Sequence, residues 1–392
     1  MFLYILIFGF AVAMMYSTLS SEKKYQAMVS TWYLAGLGLF VALSDMFGGY
    51  DRYIYAELFD RMADVTRVGD NPWTSESFEY YDTEFGYGTW CALLSYITYN
   101  RYIFIFVTTI TAYFLLIRSF KDYSDNVPFT IILFLGLWFF FTFTYLRQVM
   151  GCAVGALSYR YVIKRDFKRF IIIWFIAYSF HNSALLLLPI YFLPPIRKFK
   201  IETVIQFMVI CFLIGLTPIP QGLFSTYDAI DDARVAAGGY NQATGFRIAY
   251  LLEAGFFLYF ILKNYKKIPE TPKDIIFLNM SLIFCAILLV FVKSENGGRL
   301  SWYFMVPLVC FLPKVCLERR KINSYGLIII VTCFFLYYRI YNSWQTTMHA
   351  LYPYKTFLTD GHRQGDNIYD EFEYDTNYDE DKFYRPALWF MK

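Results

Sequence analysis

Long apolar stretches separated by short polar connections run through almost the whole chain. They fall near residues 2–19, 27–44, 102–118, 129–146, 148–163, 169–193, 202–217, 246–262, 274–292, 300–313 and 324–342. A helix needs about 20 apolar residues to cross the hydrocarbon core of a bilayer, where every backbone polar group must be satisfied within the protein. The pattern predicts an all-α polytopic membrane protein with about 10–12 transmembrane helices. The 300–313 stretch is short for a span. The stretch GYGTWCALLSYIT (86–98) is shorter still and reads as an interfacial or half-membrane helix.

Lysine and arginine in the connections orient the spans. Nineteen of them cluster in six connections: Lys23–Lys24, Arg118–Lys121, Lys164–Arg169, Arg197–Lys200, Lys263–Lys273 and Lys314–Lys321. All six share the cytoplasmic side only if 169–193 enters and leaves on that same side, as a re-entrant or broken helix. Each limb would then be about 12 residues, ~18 Å at the helical rise, with its turn at Phe180-His181-Asn182-Ser183. Irregular backbone at such depth must be buried in protein or line a wet cavity. The alternative is one tilted helix followed by RKFK outside. The first stretch has its lysines after the apolar run, the reverse of a cleaved signal peptide, and reads as a transmembrane helix with its N-terminus outside.

The opposite side receives an outer loop or lid at 45–101, with ten acidic and four basic residues, and a second outer loop at 218–245 containing Asp228, Asp231 and Asp232. It also receives a tail with nine acidic residues. This arrangement gives a single transmembrane domain over 1–342 and an extracytoplasmic tail over 343–392.

Composition narrows the classes. Of 392 residues, 57% are hydrophobic and 17% charged, where a soluble domain carries about a quarter charged. A water-soluble globule is excluded. A net charge of +3 gives no reason to expect nucleic acid. The seven cysteines sit in or beside apolar stretches with no zinc or redox spacing and read as small hydrophobes. There is no phosphate loop, dinucleotide fingerprint or nucleophile elbow, and no cofactor is implied. Asp375, Asn377 and Asp379 begin like a calcium loop, but Glu380 replaces the required glycine and Pro386 the final glutamate.

Candidate chemistry gathers on the non-cytoplasmic side. Arg147 ends the 129–146 span where positive charge has no topological use, and Gln148 follows it. A charge at such a place usually faces a pathway; snorkelling is the bland reading. His181, with Asn182, interrupts a long apolar run, although a lone buried histidine is more often structural. Arg299 follows Gly297-Gly298, a pair that would let backbone approach a ligand, and precedes Tyr303; an anchor in an aromatic belt is as reasonable. Asp51 and Tyr55 share one helical face, Asp51 as a base, a sugar-orienting group, or a charge favoured by the helix dipole. Arg247 opens the 246–262 helix, with Glu253 inside it and a structural ion pair as the plain alternative.

YDRYIYAELF, EFGYGTWCALLSYI, YLRQVMGCAVG, FIAYSFHNSALLLLPIYFL, GRLSWYF and LYPYKTFL occur in this order. Together they resemble the EpsG family of Wzy-like polysaccharide polymerases over roughly 45–358, the RQ and FHNSA elements most specifically. The resemblance implies a GT-C-like glycosyltransferase of the bacterial cytoplasmic (inner) membrane with its active site facing the periplasm or exterior. It would join undecaprenyl-diphosphate-linked oligosaccharides of a capsule, exopolysaccharide or O-antigen, alongside the pathway's flippase and a chain-length regulator. The expected roles are diphosphate binding by Arg147 and Arg299, helped by Arg247; a base or diphosphate contact from His181; and acceptor orientation by Asp51 and Tyr55. Gln148, Asn182 and Tyr303 are expected to contact substrate. Arginines would carry out the charge neutralisation without a metal, and direct displacement would invert the anomeric centre. The tail beyond about 360 matches nothing in the family. A flippase of lipid-linked sugars would show internal repeats and charges spread through the membrane core. A membrane acyltransferase would need its histidine near the cytoplasmic face, and a purely structural protein would not keep an intramembrane Arg and His.

Overall fold

The structure, a computed structural model, describes residues 1–45, 50–195, 197–222, 245–294, 297–318, 321–348, 351–358, 385–388 and 390. The protein is an all-α polytopic membrane protein, with a two-stranded β-turn at Leu317–Glu318 and Lys321–Ile322. Among the described residues, five helices are long and apolar enough to cross a membrane: Lys23–Leu43, Arg101–Tyr123, Pro272–Val290, Gly297–Cys316 and Ser324–Gln345. Shorter apolar helices include Phe2–Thr18, Val127–Leu137 and Ile201–Leu216. The last of these exposes Ile205, Val209, Ile210 and Leu213 along its length, a surface suited to hydrocarbon and not to water.

Polar residues at the borders of the apolar runs set where helices begin. Asn100 accepts from the N–H groups of Tyr102 and Ile103, Asn126 from Phe129, Asp166 from Arg169 and Thr271 from Asp274. Each supplies an acceptor for backbone donors that have no partner within the helix.

The 129–146 stretch is not one span. Its helix stops at Leu137, a 3₁₀ turn follows at Phe140–Phe143, and a new helix runs Leu146–Ala156. Arg147, expected to end a span, instead opens the next helix. The intervening sequence, WFFFTFTY, is aromatic and β-branched and has weak helix propensity. Its rings are taken up by neighbours: Phe139 and Phe140 pack on Tyr337, and Phe141 on Trp302.

The 169–193 stretch is the expected hairpin. Helix α1, as we label Phe167–Phe180, ends at His181, whose extended backbone turns the chain into the 3₁₀ segment Asn182–Phe192. The limbs lie side by side. The Trp174 indole donates to the Ala184 carbonyl at 2.9 Å, and the rings of Phe167 and Phe170 meet Tyr191. The Tyr191 hydroxyl donates back to the Arg165 carbonyl at 2.6 Å. Fourteen residues of helix place the tip ~20 Å from the hairpin's entry.

The entry end is the basic end. There Lys23, Lys273 and Lys314 surround Asp125 at 3.5, 3.8 and 3.2 Å, and Lys198 donates to the carbonyls of Tyr265 and Ile268. Residues assigned to one side by charge thus meet in space.

At the other end lies the segment expected above to be an outer loop or lid, called the lid below. Helix α2 (Tyr50–Arg67) packs on the short helix α3 (Phe85–Ser95), which at 11 residues cannot span. Within it Arg101 and Asp60 form a fully buried ion pair, the Arg101 Nε donating to Asp60 at 2.6 Å. The last long helix runs to Met348, so the boundary expected between 342 and 343 falls inside it. Beyond it the chain folds back. Tyr354 stacks on Phe40, Phe357 stacks on Tyr102, and Thr356 bridges to Ser44. Arg385 pairs with Asp64 at 2.5 Å, while Asn100 donates to the Arg385 carbonyl at 2.7 Å. All seven cysteines are buried and free. Asp228, Asp231, Asp232, His349, His362 and the residues 375–380 lie outside the described residues.

Candidate active site

Three elements distant in sequence meet at the hairpin tip: the lid, the start of the helix Leu146–Ala156 with Tyr145 before it, and the segment Gly297–Phe304. At their centre is Glu84, the residue just before α3, with a side chain 1% exposed. One carboxylate oxygen accepts from Arg147 at 2.5 Å. The other accepts the backbone N–H of Asn182 at 3.1 Å and lies 3.8 Å from His181 Nδ1. A buried carboxylate needs such partners, and these tie the lid to the helix of Arg147 and to the hairpin. The lid can come so close because residue 86 is glycine. A Cβ there would stand 2.1 Å from Ser179 Oγ and 2.9 Å from the Ser179 backbone.

Arg147 is partly buried, its side chain 14% exposed, and lies over the rings of Tyr55 and Tyr81 at 5.1 and 5.7 Å. Arg299 donates to the Tyr145 hydroxyl at 2.8 Å and lies 4.1 Å over the Tyr145 ring. This cation–π seat rests in turn on Trp302, 5.2 Å from Tyr145. Asp51, in the first turn of α2, feels both arginines. Burial pushes its carboxyl above the usual range, against the pull of Arg299 and then Arg147.

His181 carries a directional signal. Its Nδ1 accepts from the Ser183 N–H at 3.3 Å, capping the 3₁₀ segment. In a neutral imidazole that assigns the proton to Nε2 and makes the ring a donor there. The Asn182 side-chain oxygen is buried with no hydrogen-bond partner, an acceptor available to a hydroxyl.

Two expected substrate contacts are occupied by the protein. Gln148 is 4% exposed, and its amide nitrogen donates to the Arg299 carbonyl at 2.9 Å. Tyr303 is fully buried; its hydroxyl donates to the His181 carbonyl at 3.3 Å and its carbonyl accepts from Tyr159 at 2.6 Å. Both brace the site. Arg247 stands at its edge, before the helix Ile248–Lys263, with its N–H on the Val292 carbonyl at 2.7 Å. It shares the neighbourhood of Tyr250 with Arg299. The glycine pair makes room for side chains of the protein itself and not for a ligand: Cβ atoms would meet Phe291 at residue 297 and Tyr250 at residue 298, each within 2.6 Å.

Sequence reading missed Glu84, one of ten acidic residues in the lid. Its marks were its place directly before an apolar half-helix and at the head of the segment EFGYGTWCALLSYI. Tyr145, the seat of Arg299, heads the segment YLRQVMGCAVG but was given no role, standing at the end of an aromatic run.

Among the described residues, no group of three or more His, Cys, Asp or Glu side chains could hold a metal ion. The charges that converge are two guanidinium groups and two carboxylates; a guanidinium is suited to bidentate contacts with an anion.

No curated protein and no solved structure matches this chain. The sequence profile of one family matches residues 29–356, which include every site residue described above. This chain belongs to the EpsG family.

Proposed function

We propose that this protein polymerises lipid-linked oligosaccharide repeat units at the outer face of the bacterial cytoplasmic membrane. On this reading it has a GT-C-like architecture. It transfers the growing glycan from undecaprenyl diphosphate to a sugar hydroxyl of an incoming lipid-linked unit, for a capsule, exopolysaccharide or O-antigen. The observation that carries the reading is the meeting of Arg147, Arg299, Asp51 and the His181–Asn182 tip in one partly buried site at the non-basic end.

The acceptor oxygen attacks the anomeric carbon and gives its proton to Asp51. The bond from that carbon to the diphosphate oxygen breaks, and the electron pair leaves with the diphosphate on its lipid. A diphosphate is already a good leaving group and needs positive charge where negative charge develops. Arg147 and Arg299 supply it, with Arg247 at the edge. Donation from His181 Nε2 adds a neutral hydrogen bond to the same oxygens. This favours His181 as a diphosphate contact and Asp51 as the base, because a base works best with its pKa raised towards the working pH. The buried Asn182 oxygen accepts from a sugar hydroxyl. One-step displacement inverts the anomeric centre.

The test is genetic and chemical together. Deletion of the gene should leave single repeat units on the surface or on the outward-facing carrier. Arg299→Ala and Asp51→Asn should reproduce that phenotype with normal amounts of protein in the membrane. Units trapped facing inward would identify a flippase, and normal polymer ladders from either variant would refute the site.

A further inference from the structure

Arg52 follows Asp51 directly and is fully buried, with 0% exposure. One terminal nitrogen donates to the Phe143 carbonyl at 3.1 Å and the other to the Ser44 carbonyl at 2.7 Å. Both also reach the Val41 carbonyl at 3.4 Å. Asp45 provides an opposite charge nearby. Val41 and Ser44 close the helix Lys23–Leu43, where the last carbonyls lack intrahelical partners and carry the negative end of the helix dipole. Phe143 lies in the 3₁₀ turn that leads to Tyr145 and Arg147.

The guanidinium therefore joins three pieces of backbone: the start of the lid helix, the end of a membrane helix and the turn that leads into the helix of the donor-side arginine. Each site group is close in sequence to an atom it holds. Asp51 is adjacent, Tyr145 is two residues past Phe143, and Arg147 is four. A planar fork can address two elements at once, whereas an ammonium is a point donor. Burying a guanidinium is costly unless its donors are used, and here the terminal donors go to backbone on both sides of the junction.

We propose that Arg52 is a positioning residue for the transfer reaction, fixing the separation between the Asp51 carboxylate and the Arg147 guanidinium. The inference rests on the reading given under Proposed function. Asp51 belongs to the acceptor and Arg147 to the donor, so their separation sets the attack distance. A misplacement of 1 Å costs on the order of a hundredfold in rate.

The experiment uses the full chain in nanodiscs, with lipid-linked repeat units extracted from a polymerase-deficient strain as substrate. Arg52→Ala should lower kcat about a hundredfold and Arg52→Lys about tenfold, with KM for the donor within about twofold, because Arg147 and Arg299 remain. In parallel, spin labels on Phe2→Cys and Val68→Cys, at positions 72% and 75% exposed, report the distance from lid to body. Its distribution should broaden in both Arg52 variants. An unchanged kcat, an unchanged distance distribution, or failure of Arg52→Lys to accumulate as folded protein would each overturn the proposal, the last in favour of a purely structural role. If the unaltered protein makes no polymer, the reading of function falls. The distance measurement still decides whether Arg52 holds the lid.

Discussion

Removing Glu84 should destabilise the protein, and removing Arg147 as well should restore much of the loss without restoring activity. Glu84 is 1% exposed and Arg147 14%, so the carboxylate is buried and its partner largely so. Breaking a buried pair by deleting one partner costs about 3–5 kcal/mol, because the remaining charge is left uncompensated. Glu84→Ala also leaves the Asn182 N–H, now bonded at 3.1 Å, without its acceptor, at about 1–3 kcal/mol. The two contributions share one carboxylate and need not add strictly. Arg147→Met on the Glu84→Ala background removes the stranded charge and fills its volume with an apolar chain. It recovers the first contribution and not the second. Glu84→Gln keeps an acceptor for Asn182 and isolates the charge. The assay is the temperature at which half the nanodisc-embedded protein stays monodisperse. The expected order from lowest is Glu84→Ala, then the double variant, then the unaltered chain, with polymer absent from both variants. A double variant less stable than Glu84→Ala, or losses additive within about 0.5 kcal/mol, would refute the coupling and with it the account of Glu84 as the tie between lid, arginine and hairpin.

Three further outcomes are expected. As the base, Asp51 must be charged to act, so polymerisation should fall as pH drops through its raised pKa, an acid limb above that of an ordinary aspartate; a pH–rate profile with no limb there would remove Asp51 from the chemistry. His181→Asn keeps a side-chain acceptor for the Ser183 N–H but lacks the Nε2 donor, so it should lose polymer while unfolding near the unaltered temperature, and His181→Ala should lose about 1 kcal/mol more through the missing cap. Gly86→Ala places a Cβ 2.1 Å from Ser179 Oγ and 2.9 Å from its backbone, so the lid must lift from the hairpin, at a cost of about 1–3 kcal/mol and a large drop in polymer yield; an active, equally stable variant would show that lid and hairpin are not in register.

The membrane class, the broken helix at 169–193 and its turn at His181 were legible in the chain, because they follow from short-range rules. Apolar length specifies a span, basic residues specify a side, and a polar Phe-His-Asn-Ser within an apolar run specifies a break. The border residues Asn100, Asn126, Asp166 and Thr271 likewise cap helices by local chemistry. The 129–146 stretch was not legible. Its aromatic content satisfies any count of apolar residues, while its weak helix propensity is resolved only by the rings of Tyr337 and Trp302 that receive it.

Within the site, charge in an apolar setting marked Arg147, His181 and Arg299, a signal that can be read without knowledge of partners. Which groups are engaged by the protein depends on contacts across great sequence separation. Glu84 meets Arg147 over 63 residues and Asn182 over 98, and Gln148 meets the Arg299 carbonyl over 151. Only the folded chain gives Glu84 its central place, makes Gln148 and Tyr303 braces, and gives the glycine pair to Phe291 and Tyr250. Hydrogen bonds and charge pairs act over a few ångströms, and those ångströms are fixed by packing that no local pattern in this sequence encodes.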